Sequence, residues 1–209
     1  MNALLEMLQK GGIMMYPLLV TSVIGLAVFI ERALYLRRRR IIRNDVLTTV
    51  DQIRQPEDME KALFAFQGQS GPFLNIIRTG LEKRNYPRDE IKESIMDQGR
   101  QEARNLERGL VILETVAGTA PLMGLLGTVL GMIKVFKVIS EQGLGQTQAL
   151  SSGISEALVS TVVGLAIAIP ALVAYNYFVH KVEDLVLEIE KHSSALLDRF
   201  YVFANPTQE

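Results

Sequence analysis

Between Gln142 and Val179 a single charged side chain, Glu156, interrupts a run that is otherwise apolar or neutral. A charged group at the centre of a bilayer costs roughly 2.5–3.5 kcal/mol on insertion scales, so it faces protein or a water-filled path. Placed at the outer headgroup level instead, the same carboxylate would cost almost nothing, and both placements stand at this point. Two threonines, Thr128 and Thr161, lie in neighbouring apolar runs. A threonine in a membrane helix commonly bonds its hydroxyl to the carbonyl one turn back and does nothing more. These two lie at comparable distances from the outer ends of their helices, and two hydroxyls at one depth suit a polar passage. The chemistry these three residues offer is therefore ion or proton transfer, with Glu156, Thr128 and Thr161 as the ion-pathway residues.

Other chemistries find no residues to carry them. There is no phosphate-binding P-loop and no HExxH metal motif. His180 and His192 stand twelve positions apart on one apparent helix, too far for joint metal ligation, and read as surface histidines. The chain has no cysteine, which removes disulfides and thiolate sites. With 22 Lys and Arg against 23 Asp and Glu, no global charge bias points to nucleic acid. No catalytic residue, metal or cofactor is expected, and the protein is not read as an enzyme.

The elements that must position the three residues are long helices. Gly11 to Ile30, Thr115 to Ile133 and Ala157 to Val179 carry no charge. Crossing a hydrocarbon core ~30 Å thick takes about 20 such residues. The first run exceeds a secretory h-region and is followed by Arg32 and Arg37 to Arg40, not by a small-residue cleavage site, so it is expected to stay in the mature protein as a membrane anchor. It is bulky nearly all round, as suits a helix facing lipid. The second and third runs differ. At about 100° per residue, Ala117, Ala120, Pro121, Gly124, Gly127, Thr128 and Gly131 share one face, with Leu122, Leu126, Val129 and Ile133 opposite. Glu156, Ser160, Thr161, Gly164, Ala168, Ala171 and Tyr175 likewise share a sector of the third helix. Small residues let helix backbones approach closely. Gly124, Gly127, Gly131 and Gly164 are therefore the packing residues, and Gly127→Leu is expected to break an oligomer. Pro121 and Pro170 read as simple kinks.

Charge sets the orientation. Residues 37–108 hold fifteen Lys or Arg, led by the topology anchor Arg37, Arg38, Arg39 and Arg40, whereas residues 140–155 hold none. Basic flanks stay in the cytoplasm, which puts the N-terminus outside and the C-terminus inside. Lys10, Lys134 and Lys137 dissent, and are read as snorkelling to the headgroups. From about Asp89 a helical period of Ile91, Ile95, Gln98 and Leu106 leads without a breaker into the second apolar run, because Gly99 and Gly109 are tolerable in a helix. One continuous helix is expected there. Val182, Leu185, Ile189 and Leu196 extend the third helix. The result is an all-α membrane protein of three transmembrane helices, with helices two and three extended into a cytoplasmic helical bundle. Its segments are an outer tail and first transmembrane helix (1–36), a cytoplasmic helical segment (37–109) and the second transmembrane helix (110–139). An outer loop (140–153), the third transmembrane helix (154–180) and a cytoplasmic C-terminal helix (181–209) follow.

At these residues the chain resembles a known family. Ala120-Pro121-Leu122-Met123-Gly124-Leu125-Leu126-Gly127-Thr128-Val129-Leu130-Gly131 is similar to the second-helix signature of the ExbB/TolQ/MotA proton-channel family. Gly153-Ile154-Ser155-Glu156-Ala157-Leu158-Val159-Ser160-Thr161, continuing through Gly164 to Ile169-Pro170-Ala171 and Tyr175-Asn176, resembles its third-helix signature. Tyr16-Pro17-Leu18-Leu19 and Glu31-Arg32 resemble the ExbB-type first helix, and three membrane helices instead of four favour the ExbB/TolQ branch. The resemblance implies a homo-oligomer, a pentamer, in the cell inner membrane. Its second and third helices would line a passage holding an ExbD/TolR-like single-pass partner, whose aspartate takes up protons. It further implies a TonB/TolA-like periplasm-spanning protein as recipient of the work, pore-facing roles for Thr128 and Thr161, and an outer-mouth position for Glu156. The rival reading is a passive oligomeric membrane scaffold without ion conduction.

Overall fold

A computed structural model describes residues 11–143 and 147–204. In chain order its helices are α1 (Met15–Tyr35), α2 (Arg38–Ile41), α3 (Asn44–Gln52), α4 (Pro56–Ala65), α5 (Pro72–Glu82), α6 (Arg88–Glu107), α7 (Leu110–Gln142) and α8 (Thr147–Ala204). Among the described residues there is no strand, so the all-α reading holds. The chain divides into two compact units, one of residues up to Arg32 with Gly109–Tyr177, the other of Ala33–Arg108 with Phe178–Glu209.

The first unit contains most of α1, all of α7 and the first part of α8. Among the described residues, three helices are long and apolar enough to cross a membrane. The 21 residues of α1 cover about 31 Å at 1.5 Å per residue, matching a hydrocarbon core of ~30 Å. Of these residues only a narrow stripe is buried, Met15, Leu18, Gly25 and Arg32 at helical spacing, while Tyr16, Val20, Val23, Leu26 and Ile30 are exposed. Such an apolar, outward-facing surface suits lipid. Met15 and Leu18 pack with Ala120, Ala168, Met123, Val163 and Ile167. Arg32 is buried in the last turn of α1, where a cation complements the helix dipole, and its guanidinium meets the Glu31 carboxylate at 2.6 and 2.9 Å.

Two expectations about element boundaries change. The helix expected to run unbroken from Asp89 is two helices, interrupted at Arg108 and Gly109. Gly109 has φ +92°, a left-handed backbone that only glycine adopts cheaply, and a Cβ there would stand 3.0 Å from Arg32 Nε. The expected loop at 140–153 is largely helical, because α7 continues to Gln142 and α8 begins at Thr147. Gly143, at φ +76°, ends α7 and donates its N–H to the Ile139 carbonyl at 3.0 Å. The third helix does run on past residue 180 as expected, since α8 continues without interruption to Ala204. Lys10, the tail ahead of Gly11, the centre of the expected loop at 140–153 and the last five residues lie outside the described residues.

The second unit has an ordinary hydrophobic core around α5, whose Phe73, Leu74, Ile76, Ile77 and Leu81 are all buried. Pro72 opens that helix and Gly80 lies on its buried face. The helix packs against α6. The stripe of α6 is Ile91, Ile95 and Leu106, joined by Glu102. Asp89 and Glu90 in the first turn and Arg104 in the last complement the dipole of α6. Beyond Phe178, α8 contributes the buried series Val182, Leu185, Ile189, Ser193 and Leu196.

Candidate functional site

In the first unit, α7 and α8 lie so close that glycine is required on both. A Cβ added to Gly164 would stand 2.6 Å from the Ala120 carbonyl oxygen, and one on Gly124 would stand 3.0 Å from that of Ser160. At Gly131 it would meet the Ala157 Cβ at 2.9 Å, and at Gly127 it would run into the Ser160 hydroxyl. The small-residue faces therefore pack against each other within one chain. This changes the meaning of Gly127→Leu: its first effect falls on the helix pair inside the protomer. The opposite face of α7, with Leu122, Leu126, Val129 and Ile133, is exposed.

That close approach brings the two threonines together. Their hydroxyls share a hydrogen bond at 2.5 Å. Thr128 Oγ1 also reaches the Ala157 carbonyl at 3.1 Å and the Gly124 carbonyl at 3.3 Å, and Thr161 Oγ1 reaches the Gly124 carbonyl at 3.3 Å. The hydroxyls thus bridge the helices, and Thr128 bonds back to its own helix as well. Ser160, one position before Thr161, is fully buried and its Oγ has no hydrogen-bond partner.

Glu156 lies further along the same seam. Its carboxylate forms an ion pair with Lys134 of α7. The carboxylate side chain is 21% exposed and the lysine 55%. The carboxylate also abuts Gly12, where any Cβ would collide with it, at a corner of φ +70°. The sequence places Lys134 only at a helix end, where its stem can snorkel; its pairing with Glu156 is what the structure adds. A signal for it existed: in an antiparallel pair, six residues from Thr128 to Lys134 on one helix match five from Thr161 back to Glu156 on the other.

The remaining residues singled out in the sequence sit in the second unit. Arg37 to Arg40 are exposed. Arg38 Nε donates to both Glu188 carboxylate oxygens, at 2.9 and 3.1 Å, which holds the Glu188 carboxyl below its ordinary range. Arg40 lies 5.7 Å from the centre of the Tyr35 ring. His180 is exposed and 3.0 Å from Glu183. His192 is not a plain surface residue: it is half-buried, edge-on to Phe73 with ring centres 5.9 Å apart. Glu102, which the sequence reading passed over, is buried and accepts hydrogen bonds from Asn75 at 2.7 Å, Gln98 at 3.0 Å and Asn105 at 3.4 Å.

Comparison with known proteins adds an independent line. The model of the MotA/TolQ/ExbB proton channel family matches residues 69–191. The chain is 32% identical over 186 residues to a putative biopolymer transport protein, ExbB-like 1, of Synechocystis, covering 84% of this chain and 70% of that protein. It is 28% identical to a putative biopolymer transport protein ExbB homolog of Methanothermobacter thermautotrophicus, over 90% of this chain and 67% of the relative. Similarity to the Tol-Pal system protein TolQ of Pseudomonas aeruginosa is 36% identity over 52% of this chain and 42% of that one.

Proposed function

Since this chain belongs to the MotA/TolQ/ExbB proton channel family, on its ExbB/TolQ branch, we propose that it is the multi-pass subunit of a motor driven by the proton-motive force. In this reading it assembles as a homo-oligomer, a pentamer, in the inner membrane around an ExbD/TolR-like single-pass partner. A TonB/TolA-like protein then delivers the work to the outer membrane. The N-terminus is periplasmic and the C-terminus cytoplasmic.

The observation that carries the reading is the hydroxyl couple Thr128–Thr161, with the Glu156 carboxylate about one and a half turns before Thr161 on α8. Lipid-facing packing needs no hydroxyl pair and no carboxylate. A proton path needs groups that both donate and accept, which hydroxyls do. Neither uncharged run, Thr115 to Ile133 or Ala157 to Val179, holds a carboxylate, so the main proton-carrying acid belongs to the partner.

One observation favours the passive scaffold: both threonine hydroxyls are satisfied within the chain, through each other and the Gly124 and Ala157 carbonyls. Proton flux separates the two readings. The chain reconstituted with its ExbD/TolR-like partner should pass protons under an imposed potential, and the pair carrying a neutralised partner aspartate should not. Equal, background flux in both preparations would leave the scaffold as the answer.

A further inference from the structure

We infer that Lys134 is a positioning residue that latches Glu156 when the protein is idle. The inference rests on the ion-pathway reading above and deepens it. Side chains on a helix lean toward its N-terminus, so Glu156 on α8 leans away from Thr161. Its carboxylate is ion-paired to Lys134 on α7. Gly12 also borders the carboxylate, because at φ +70° it brings bare backbone against Glu156 Oε1 where any side chain would collide. Between this pair and the threonine couple, Gly131 packs against Ala157 and leaves no room for a side chain at position 131. The seam between α7 and α8 thus carries two polar couples in series, one neutral and one ionic, separated by tight packing.

The two couples differ in what they do to a mobile proton. The hydroxyl pair is neutral and can relay. The ion pair stores a carboxylate beside a fixed positive charge, and a cation approaching Glu156 meets the ammonium first. Lys134 is largely exposed while Glu156 is mostly covered, so the lysine is the member free to move. Its withdrawal would free the carboxylate to exchange protons with the outer aqueous phase and to swing toward the threonines. The latch therefore holds the passage shut until assembly with the partner, or motion within it, draws the ammonium away.

The test is proton leak through the full-length chain alone, reconstituted in vesicles of phosphatidylethanolamine and phosphatidylglycerol. A trapped pH-sensitive dye reports the leak under an imposed potassium diffusion potential. Lys134→Met should raise the leak several-fold over the unmodified chain, and Lys134→Arg should leave it low. Adding Glu156→Gln to Lys134→Met should return it to background, because the leak runs through the freed carboxylate. An unchanged leak in Lys134→Met overturns the latch, as does a raised leak that persists in the double variant. A second measurement does not depend on how Lys134→Met folds. The chain has no cysteine, so in the pair K134C and E156C a bifunctional maleimide long enough to replace the two side chains should link the two positions. Failure to cross-link in the membrane overturns the geometry itself. If the latch fails while Glu156→Gln alone still abolishes partner-driven transport, the ion-pathway reading survives. If Glu156→Gln leaves that transport intact, that reading falls.

Discussion

Threonine and valine have nearly the same branched shape, so replacing one by the other isolates the hydroxyl. Thr128→Val and Thr161→Val each remove one half of the couple that joins α7 to α8. Hydrogen bonds between membrane helices contribute ~0.6 kcal/mol on average, so either variant should insert and assemble normally. Energy-dependent transport should nevertheless be lost in both, since a missing hydroxyl leaves a gap in a dry path. Uptake in cells, with protein level and oligomer size checked alongside, reads the outcome; normal uptake in both valine variants would favour the scaffold. A second prediction concerns Glu188, whose carboxyl is held below the ordinary 4.5 chiefly by its hydrogen bonds from Arg38. A lowered folded value means that the unfolded chain takes the proton more readily. The stabilisation is complete above the ordinary glutamate range and is lost as pH falls through the lowered value. Arg38→Met should move the Glu188 titration, followed by NMR of the side chain, back up toward 4.5. Residue types made the threonines and Glu156 legible in the sequence. The Lys134–Glu156 pair shows only in the matched register of the two helices, and Arg38–Glu188 and Asn75–Glu102 not at all, because partners 150 and 27 residues apart share no local period.

At the level of elements, the small-residue faces were legible from spacing alone, but not the identity of what they pack against. An oligomer and a helical hairpin use the same face, and only the distances around Gly124 and Gly164 assign it to the hairpin. Gly127→Leu should therefore destabilise the protomer. Forcing four extra heavy atoms into a seam where even a Cβ collides with Ser160 costs about 1–3 kcal/mol or more. Thermal unfolding in detergent should shift down before any change in oligomer size at low temperature. An intact melting profile with a broken oligomer would instead place that face between subunits. The break between α6 and α7 escaped the sequence reading because Gly109 stands in an otherwise helical pattern, and a glycine inside a helix looks the same on paper as one that ends it. Its left-handed backbone is a tertiary fact, set beside the buried Arg32 guanidinium.

Across the whole molecule, the two units differ in what they show to their surroundings. The first exposes Leu19, Val23, Leu126, Val129, Val162, Leu165, Ile169 and Leu172, a surface suited to hydrocarbon. The second closes an apolar core and exposes few large apolar side chains, among them Phe64, Tyr86, Met96 and Leu187. That contrast was legible in the segregation of charge along the chain, since each uncharged run had to find a solvent that tolerates it. Orientation is a further step, because an apolar belt is symmetric across a membrane while arginine retention is not. Fifteen basic residues between Arg37 and Arg108 should hold that segment in the cytoplasm. The cysteine-free chain makes the test clean. Gln67, exposed in the second unit, changed to cysteine should resist a membrane-impermeant maleimide in intact spheroplasts and react after lysis. Gly145→Cys, in the stretch outside the described residues, should react before lysis. The reverse pattern would turn the protein over: Lys134 and Glu156 would then face the cytoplasm, and the latch would guard the exit of the proton path instead of its entrance.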